Sequence, residues 1–263
     1  MARIADAFAA MRRRGTPGLV AYVTAGDPTI ERSGEILAAL AENGADVLEV
    51  GVPFSDPLAD GPVIQRASER ALAAGATLRR TLEMLRRTRD RIAAPIVLFT
   101  YANPILRMGE DAFVKAAVAA GVDGVLMLDL PVEEAGSFRG RLVAHGLDPI
   151  FLLSPTTTDA RVRASAELGS GFLYVISRLG VTGMRDHLAA DVEPLVRRIR
   201  AQSSLPLALG FGISTPEQVA QVGRWADAAV VGSALVNVIA EHGAAADVAA
   251  RAGAYVRWLK GQS

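Results

Sequence analysis

The chain has 263 residues, half of them apolar and about a fifth charged, a mix that suits a globular protein with a large core. Its formal charge balances at zero, so composition supplies neither a basic face for nucleic acid nor an acidic solvating tail. Cysteine is absent, which excludes disulfides, thiolate metal sites and a cysteine nucleophile and suits a reducing cytoplasm, and no apolar run approaches the ~20 residues of a membrane span.

Residues 1–15 are rich in Ala and Arg and resemble a transit peptide in composition. Ile4, Phe8 and Met11 share one helical face, however, and Asp6 is atypical of such leaders. That pattern predicts a short helix closing one end of the fold. Apolar runs then recur at 19–24, 47–50, 96–100, 125–128, 150–153, 172–176, 206–209 and 228–231, which predicts eight strands. They are continuously apolar rather than alternating, as expected of a parallel sheet covered on both faces. Amphipathic segments separate them. Leu78, Leu82 and Leu85 share one helical face, and Val192, Leu195, Val196 and Ile199 another.

One junction repeats. Gly44-Ala45-Asp46, Gly121-Val122-Asp123 and Gly146-Leu147-Asp148 each stand between a helical segment and a strand, with Trp225-Ala226-Asp227 as a weaker copy. Glycine just past a helix takes the left-handed conformation that stops it. Eight strands alternating with helices predict a (β/α)8 TIM barrel, read as one domain over 1–263, with a doubly wound open sheet as the alternative. In such a barrel the active site lies at the C-terminal ends of the strands.

The second strand carries the first candidate. Glu49 lies among Val47, Leu48 and Val50, and the loop that follows, rich in Pro, Gly and Asp, carries Asp60. A carboxyl among apolar neighbours loses solvation and its pKa rises, whereas one in a polar loop stays ionised. Two carboxyls so placed can divide proton transfer from charge stabilisation. The plainer alternatives are a buried structural acid at Glu49 and a turn-shaping role for Asp60 in Ala59-Asp60-Gly61-Pro62. After the last three strands come glycine-bearing loops at 177–183, 210–214 and 232–235. Glycine lets backbone N–H groups approach an anion, and a short helix beginning at Ser233 would add its positive end. Three such loops in series predict a phosphate site; ordinary tight turns with Ser233 as an N-cap are the alternative.

These residues carry a resemblance to the tryptophan synthase alpha subunit family, nearly end to end. The segments that carry it are 22–28 (YVTAGDP), 48–62, 100–104 (TYANP), 129–134 (DLPVEE), 177–183, 210–213 and 232–234. The resemblance implies a lyase that cleaves indole-3-glycerol phosphate to indole and glyceraldehyde 3-phosphate, with Glu49 and Asp60 as the catalytic pair. It places Gly183, Gly212, Gly232 and Ser233 at the phosphate, and Tyr22, Phe99, Tyr101, Leu126 and Phe211 in or beside the indole pocket. Tyr174 falls at the family's active-site tyrosine and is read as support for Asp60 or Glu49. The loops 51–61 and 177–190 are expected to close over substrate, with Thr182 bonded to Asp60. No cofactor or metal is implied, since the ring nitrogen is itself an electron sink. The implied partner is a pyridoxal-phosphate beta subunit in an alpha2-beta2 tetramer that consumes the indole; a stand-alone indole-releasing lyase is the alternative. The chain departs from the family pattern mildly, with Ala21 where proline is common and Tyr22 where many members have phenylalanine.

Overall fold

The computed structural model describes residues 3–176, 188–210 and 212–262. Helix α1 (Arg3–Arg14) precedes strand β1 (Gly18–Thr24), α2 (Ile30–Glu42) and β2 (Val47–Gly51). Helices α3 (Pro62–Ala73) and α4 (Leu78–Thr88) lead to β3 (Ile96–Thr100). Then follow α5 (Ala102–Met108), α6 (Glu110–Ala119), β4 (Gly124–Met127), α7 (Gly136–Ala144) and β5 (Asp148–Leu153). The chain continues through α8 (Asp159–Leu168), β6 (Leu173–Ile176), α9 (Leu188–Arg200), β7 (Leu207–Gly210) and α10 (Pro216–Val222). It ends with β8 (Ala228–Val231), α11 (Ser233–His242) and α12 (Val248–Leu259). The eight strands pair in parallel and in sequence order, β8 returns to β1, and the barrel is closed. The open doubly wound alternative is thereby excluded.

Alternation along each strand sorts the apolar residues into two cores. Leu19, Ala21, Leu48, Val50, Ile96, Leu98 and Val125 pack in the large cluster between strands and helices. Val20, Val47, Val97, Leu126, Ile150, Tyr174, Ala208 and Val230 form a second cluster with Ile4, Phe8 and Met11 of α1. This second cluster is the barrel interior, and it explains why the strands read as unbroken apolar runs. Helix α1 is the predicted closing helix. Phe8 stacks on Phe172 with ring centroids 5.3 Å apart, and Ile4, Phe8 and Met11 are buried.

The repeated Asp junction has a structural meaning. Asp46 accepts the Leu19 N–H, Asp123 the Ile96 N–H and Asp227 the Leu207 N–H, each at 2.8 Å. Each carboxylate therefore ties the start of its own strand to the start of the preceding one. Arg14 of α1 pairs with Asp46, Arg3 with Asp123 and Arg12 with Asp227. The same three carboxylates that lock strand pairs thus hold the closing helix. Asp148 differs: it accepts the Ser170 hydroxyl instead. Gly44, Gly121 and Gly146 have positive φ, as the junction requires.

With the N-terminal end of the barrel plugged by α1, the opposite, C-terminal end is left for chemistry. Among the described residues no helix is long and apolar enough to cross a membrane.

Candidate active site

In β2, residues 47 and 49 point inward and 48 and 50 outward. Glu49 thus enters the barrel one step above Val47. It is fully buried, and among the described residues neither carboxyl oxygen has a hydrogen-bond partner. Such a group is costly unless it is neutral or awaits a ligand. Burial, with the Asp60 charge second, pushes its pKa up to about 8.

Asp60 comes from the loop between β2 and α3. That helix begins at Pro62 after a Gly61 cap, a position where proline's fixed φ and missing N–H cost nothing. The Asp60 backbone carbonyl accepts from the Gln65 amide at 2.9 Å. Its carboxylate accepts from the Tyr101 hydroxyl at 3.0 Å, and the same hydroxyl takes the Ala59 N–H at 3.0 Å. Burial raises Asp60 to about 6, while the Tyr101 bond favours its ionised form. Burial and the Asp60 charge hold the Tyr101 phenol above its usual value, so it remains a donor. Tyr101 is itself fixed at the β3–α5 junction, where the Ala102 N–H donates to Asp129 at 2.7 Å and Phe54 stacks on the ring at 5.0 Å. The outcome is a division of state. At pH 7 Glu49 keeps its proton and Asp60 has largely lost its own.

Around the pair lie rings from three strands, with a leucine from a fourth. Tyr22 is the register neighbour of Glu49 and meets Phe99 edge-on at 5.3 Å; Phe99 lies 6.4 Å from Tyr174. Leu126, the register neighbour of Phe99, is buried beneath. The Tyr22 hydroxyl lies 3.3 Å from the Thr24 hydroxyl. A Cβ on Gly51 would stand 2.1 Å from the Tyr22 oxygen, so glycine at 51 is what lets the tyrosine lie there. Tyr174 does not hold either carboxyl: Glu49 is without a described partner and Asp60 is bonded to Tyr101. Its place is in the interior cluster, beside Gly210.

At the other side of the mouth stand Gly212 and the start of α11. Gly212 has φ +77°, a value that L side chains avoid, and among the described residues nothing lies within 4 Å of where a Cβ would go. Helix α11 begins at Ser233 with Gly232 as its cap and no side-chain cap, so its first N–H groups are free of intrahelical partners. Ser233 is therefore the first helical residue and not the cap. Gly232 lies against the Tyr22 ring, its Cβ direction 3.8 Å from Tyr22 atoms, which sets the start of α11 beside the aromatic rings. Gly183, Thr182 and Phe211 lie outside the described residues.

Two features near the mouth have no signal in the sequence. The Arg70 guanidinium clamps both oxygens of buried Asp27, at 2.9 and 2.7 Å, and so ties the loop after β1 to α3, the helix that anchors the Asp60 loop. The Gln218 side chain takes the N–H groups of Ser214 and Thr215 at 2.7 and 3.2 Å. Among the described residues no group of three or more His, Asp or Glu side chains could hold a metal ion. A cleft of about 650 Å³ opens at the N-terminal end, but its Asp46 is already paired with Arg14 and Lys260.

The barrel, its plugged base and the two carboxyls of unlike charge at its mouth define a class: a (β/α)8 enzyme equipped for acid–base chemistry. The model of one family, the tryptophan synthase alpha chain, matches residues 8–260, and the chain belongs to that family. A tryptophan synthase alpha chain from Burkholderia thailandensis is 50% identical over 261 residues, 99% of this chain and 96% of the relative. One from Solibacter usitatus is 48% identical over 260 residues, covering 99% and 97%. Among solved structures, the alpha subunit from Legionella pneumophila superposes with a TM-score of 0.87 at 41% identity, over 98% of this chain and 97% of its own.

Proposed function

We propose that this chain cleaves indole-3-glycerol phosphate by a retro-aldol step, releasing indole and glyceraldehyde 3-phosphate. The observation that carries the reading is the placement of Glu49: a carboxyl buried at the barrel mouth without a described partner, where burial favours its protonated form, with Asp60 on the loop above it. The indole ring holds the glycerol chain until C3 is protonated. Glu49 delivers that proton, and the positive charge that develops on the ring nitrogen is offset by Asp60, which accepts the ring N–H. Glu49, now a carboxylate, then takes the proton of the hydroxyl on the adjacent side-chain carbon. The C–C bond breaks, its electron pair returns to the ring, and the side chain leaves as an aldehyde. Glu49 ends with the proton it began with, and no external acid is consumed.

The apolar set Tyr22, Phe99, Leu126 and Tyr174 suits the indole ring, and Gly212, Gly232 and Ser233, with Gly183, Thr182 and Phe211 assigned from the sequence, take the phosphate and complete the pocket. Indole is small and apolar, so its release from the mouth calls for a consumer. That consumer is a beta subunit docked at the C-terminal face in an alpha2-beta2 tetramer, in the cytoplasm. Family membership and the position of the site at the open end support this assembly. The test is indole-3-glycerol phosphate loss and free indole measured with and without a beta subunit. Cleavage in both states, faster and with less free indole when the partner and serine are present, is expected. Rapid indole release that the partner does not alter would favour a stand-alone lyase.

A further inference from the structure

We infer that Tyr255, on the C-terminal helix α12, is a positioning residue for phosphate binding. The inference rests on the phosphate reading of the Gly212 turn given above and names what shapes that turn.

The turn after β7 must present backbone N–H groups to an anion, and its other polar groups must be occupied. The structure accounts for them one by one. Gln218, in the first turn of α10, accepts the N–H of Ser214 at 2.7 Å, its hydroxyl at 3.2 Å and the N–H of Thr215 at 3.2 Å. Thr215 and Gln218 cap each other reciprocally at the start of α10. The Ser214 carbonyl accepts from the Tyr255 hydroxyl at 2.8 Å, across 41 residues of sequence. Ile213 is buried and anchors the turn from below. Among the described residues, no carbonyl or side chain takes the N–H of Gly212 or Ile213. The donors left over are therefore those nearest the open space at Gly212.

Tyr255 fixes the 214–215 peptide, two units beyond the one that carries the Ile213 N–H, and so holds the end of the turn from the far side. Its ring is half-buried and stacks on Trp258 at 5.5 Å, so the hydroxyl is held by packing on its own helix. If the Ser214 carbonyl loses its donor, the 212–214 peptides can rotate, and the donors at Gly212 and Ile213 turn from the anion. The indole end of the site does not feel this change. Removing the hydroxyl should therefore weaken phosphate recognition and spare the chemical step.

The experiment is Tyr255→Phe in the full chain, assayed for cleavage with inorganic phosphate as a competitive inhibitor. The Ki of phosphate and the KM of substrate are expected to rise together by about threefold to tenfold, the range of one lost hydrogen bond, with kcat unchanged. Gln218→Leu is expected to shift both constants in the same direction. Val256→Ala, a core change at the next position of the same helix, is expected to lower Tm and leave Ki alone, which separates positioning from general loosening. An unchanged Ki in Tyr255→Phe, or a fall in kcat with Ki constant, would overturn the inference while leaving the phosphate site standing. If inorganic phosphate does not compete in the unaltered chain, the phosphate reading itself fails, and the inference with it.

Discussion

Glu49→Gln is expected to lower the rate of indole-3-glycerol phosphate cleavage by at least ~10²–10⁴, the usual contribution of one general acid or base, with more lost because the same group serves twice. The fold should persist and gain stability. A carboxyl whose folded pKa lies near 8 binds its proton more tightly folded than unfolded. Its stabilising effect is full below the ordinary carboxylate range and is lost as pH rises through about 8. In the pH 5–9 window the native chain therefore carries a growing cost of keeping Glu49 buried, on the order of 3 kcal/mol at pH 7. Glutamine has no proton to lose and avoids it. The variant should melt higher than the parent at pH 8–9 and alike at pH 4, a signature no ordinary core mutation gives. Near-normal turnover by a folded Glu49→Gln chain would remove the acid–base assignment.

Asp60→Asn is expected to lower kcat by ~10²–10³, the scale of removing one group aimed at transition-state charge. KM should move little. The amide oxygen still accepts from the ring N–H and from Tyr101, so the ground state is held nearly as before. What is lost is the negative charge that offsets the ring cation, which exists only as C3 is protonated. The substitution should also bring the Glu49 pKa down, since the Asp60 charge is the second cause of its elevation. In the parent, kcat/KM should rise with pH through about 6, as Asp60 ionises, and fall through about 8, as Glu49 loses its proton. In Asp60→Asn the acid limb should vanish and the alkaline limb move down. A change confined to KM would show that Asp60 binds the ground state instead.

Most of the architecture was legible because periodicity and punctuation agree. The strand reading at 96–100 coincides with β3, and 19–24 falls within β1, which begins one residue earlier. The Gly-x-Asp junction marked strand starts correctly, although its purpose, an aspartate that ties adjacent strands and the closing helix, emerges only when residues 27 apart, such as Asp46 and Leu19, meet. Glu49 stood out because a charge in an apolar strand conflicts with its surroundings, and that conflict is what function leaves in a sequence. The Tyr101–Asp60 bond was hidden. Tyr101 reads as pocket lining, and only the course of the loop brings its hydroxyl to the carboxylate. Tyr174 makes no described hydrogen bond to either acid. The resemblance placed it beside the acids, and the hydroxyl that holds Asp60 is that of Tyr101. Arg70 and Tyr255 act on loops 43 and 41 residues away, a distance over which spacing carries no information.

The central claim is that Glu49 is a neutral carboxylic acid at physiological pH, ready to protonate carbon. Its direct test is the carboxyl 13C resonance of Glu49 followed against pH in the ligand-free chain, assigned by its disappearance in Glu49→Gln. A midpoint near 8, well above that of Asp60 near 6, is the predicted result. A Glu49 midpoint in the ordinary carboxylate range, about 4 to 5, would mean that the group is ionised at neutral pH and would contradict the account.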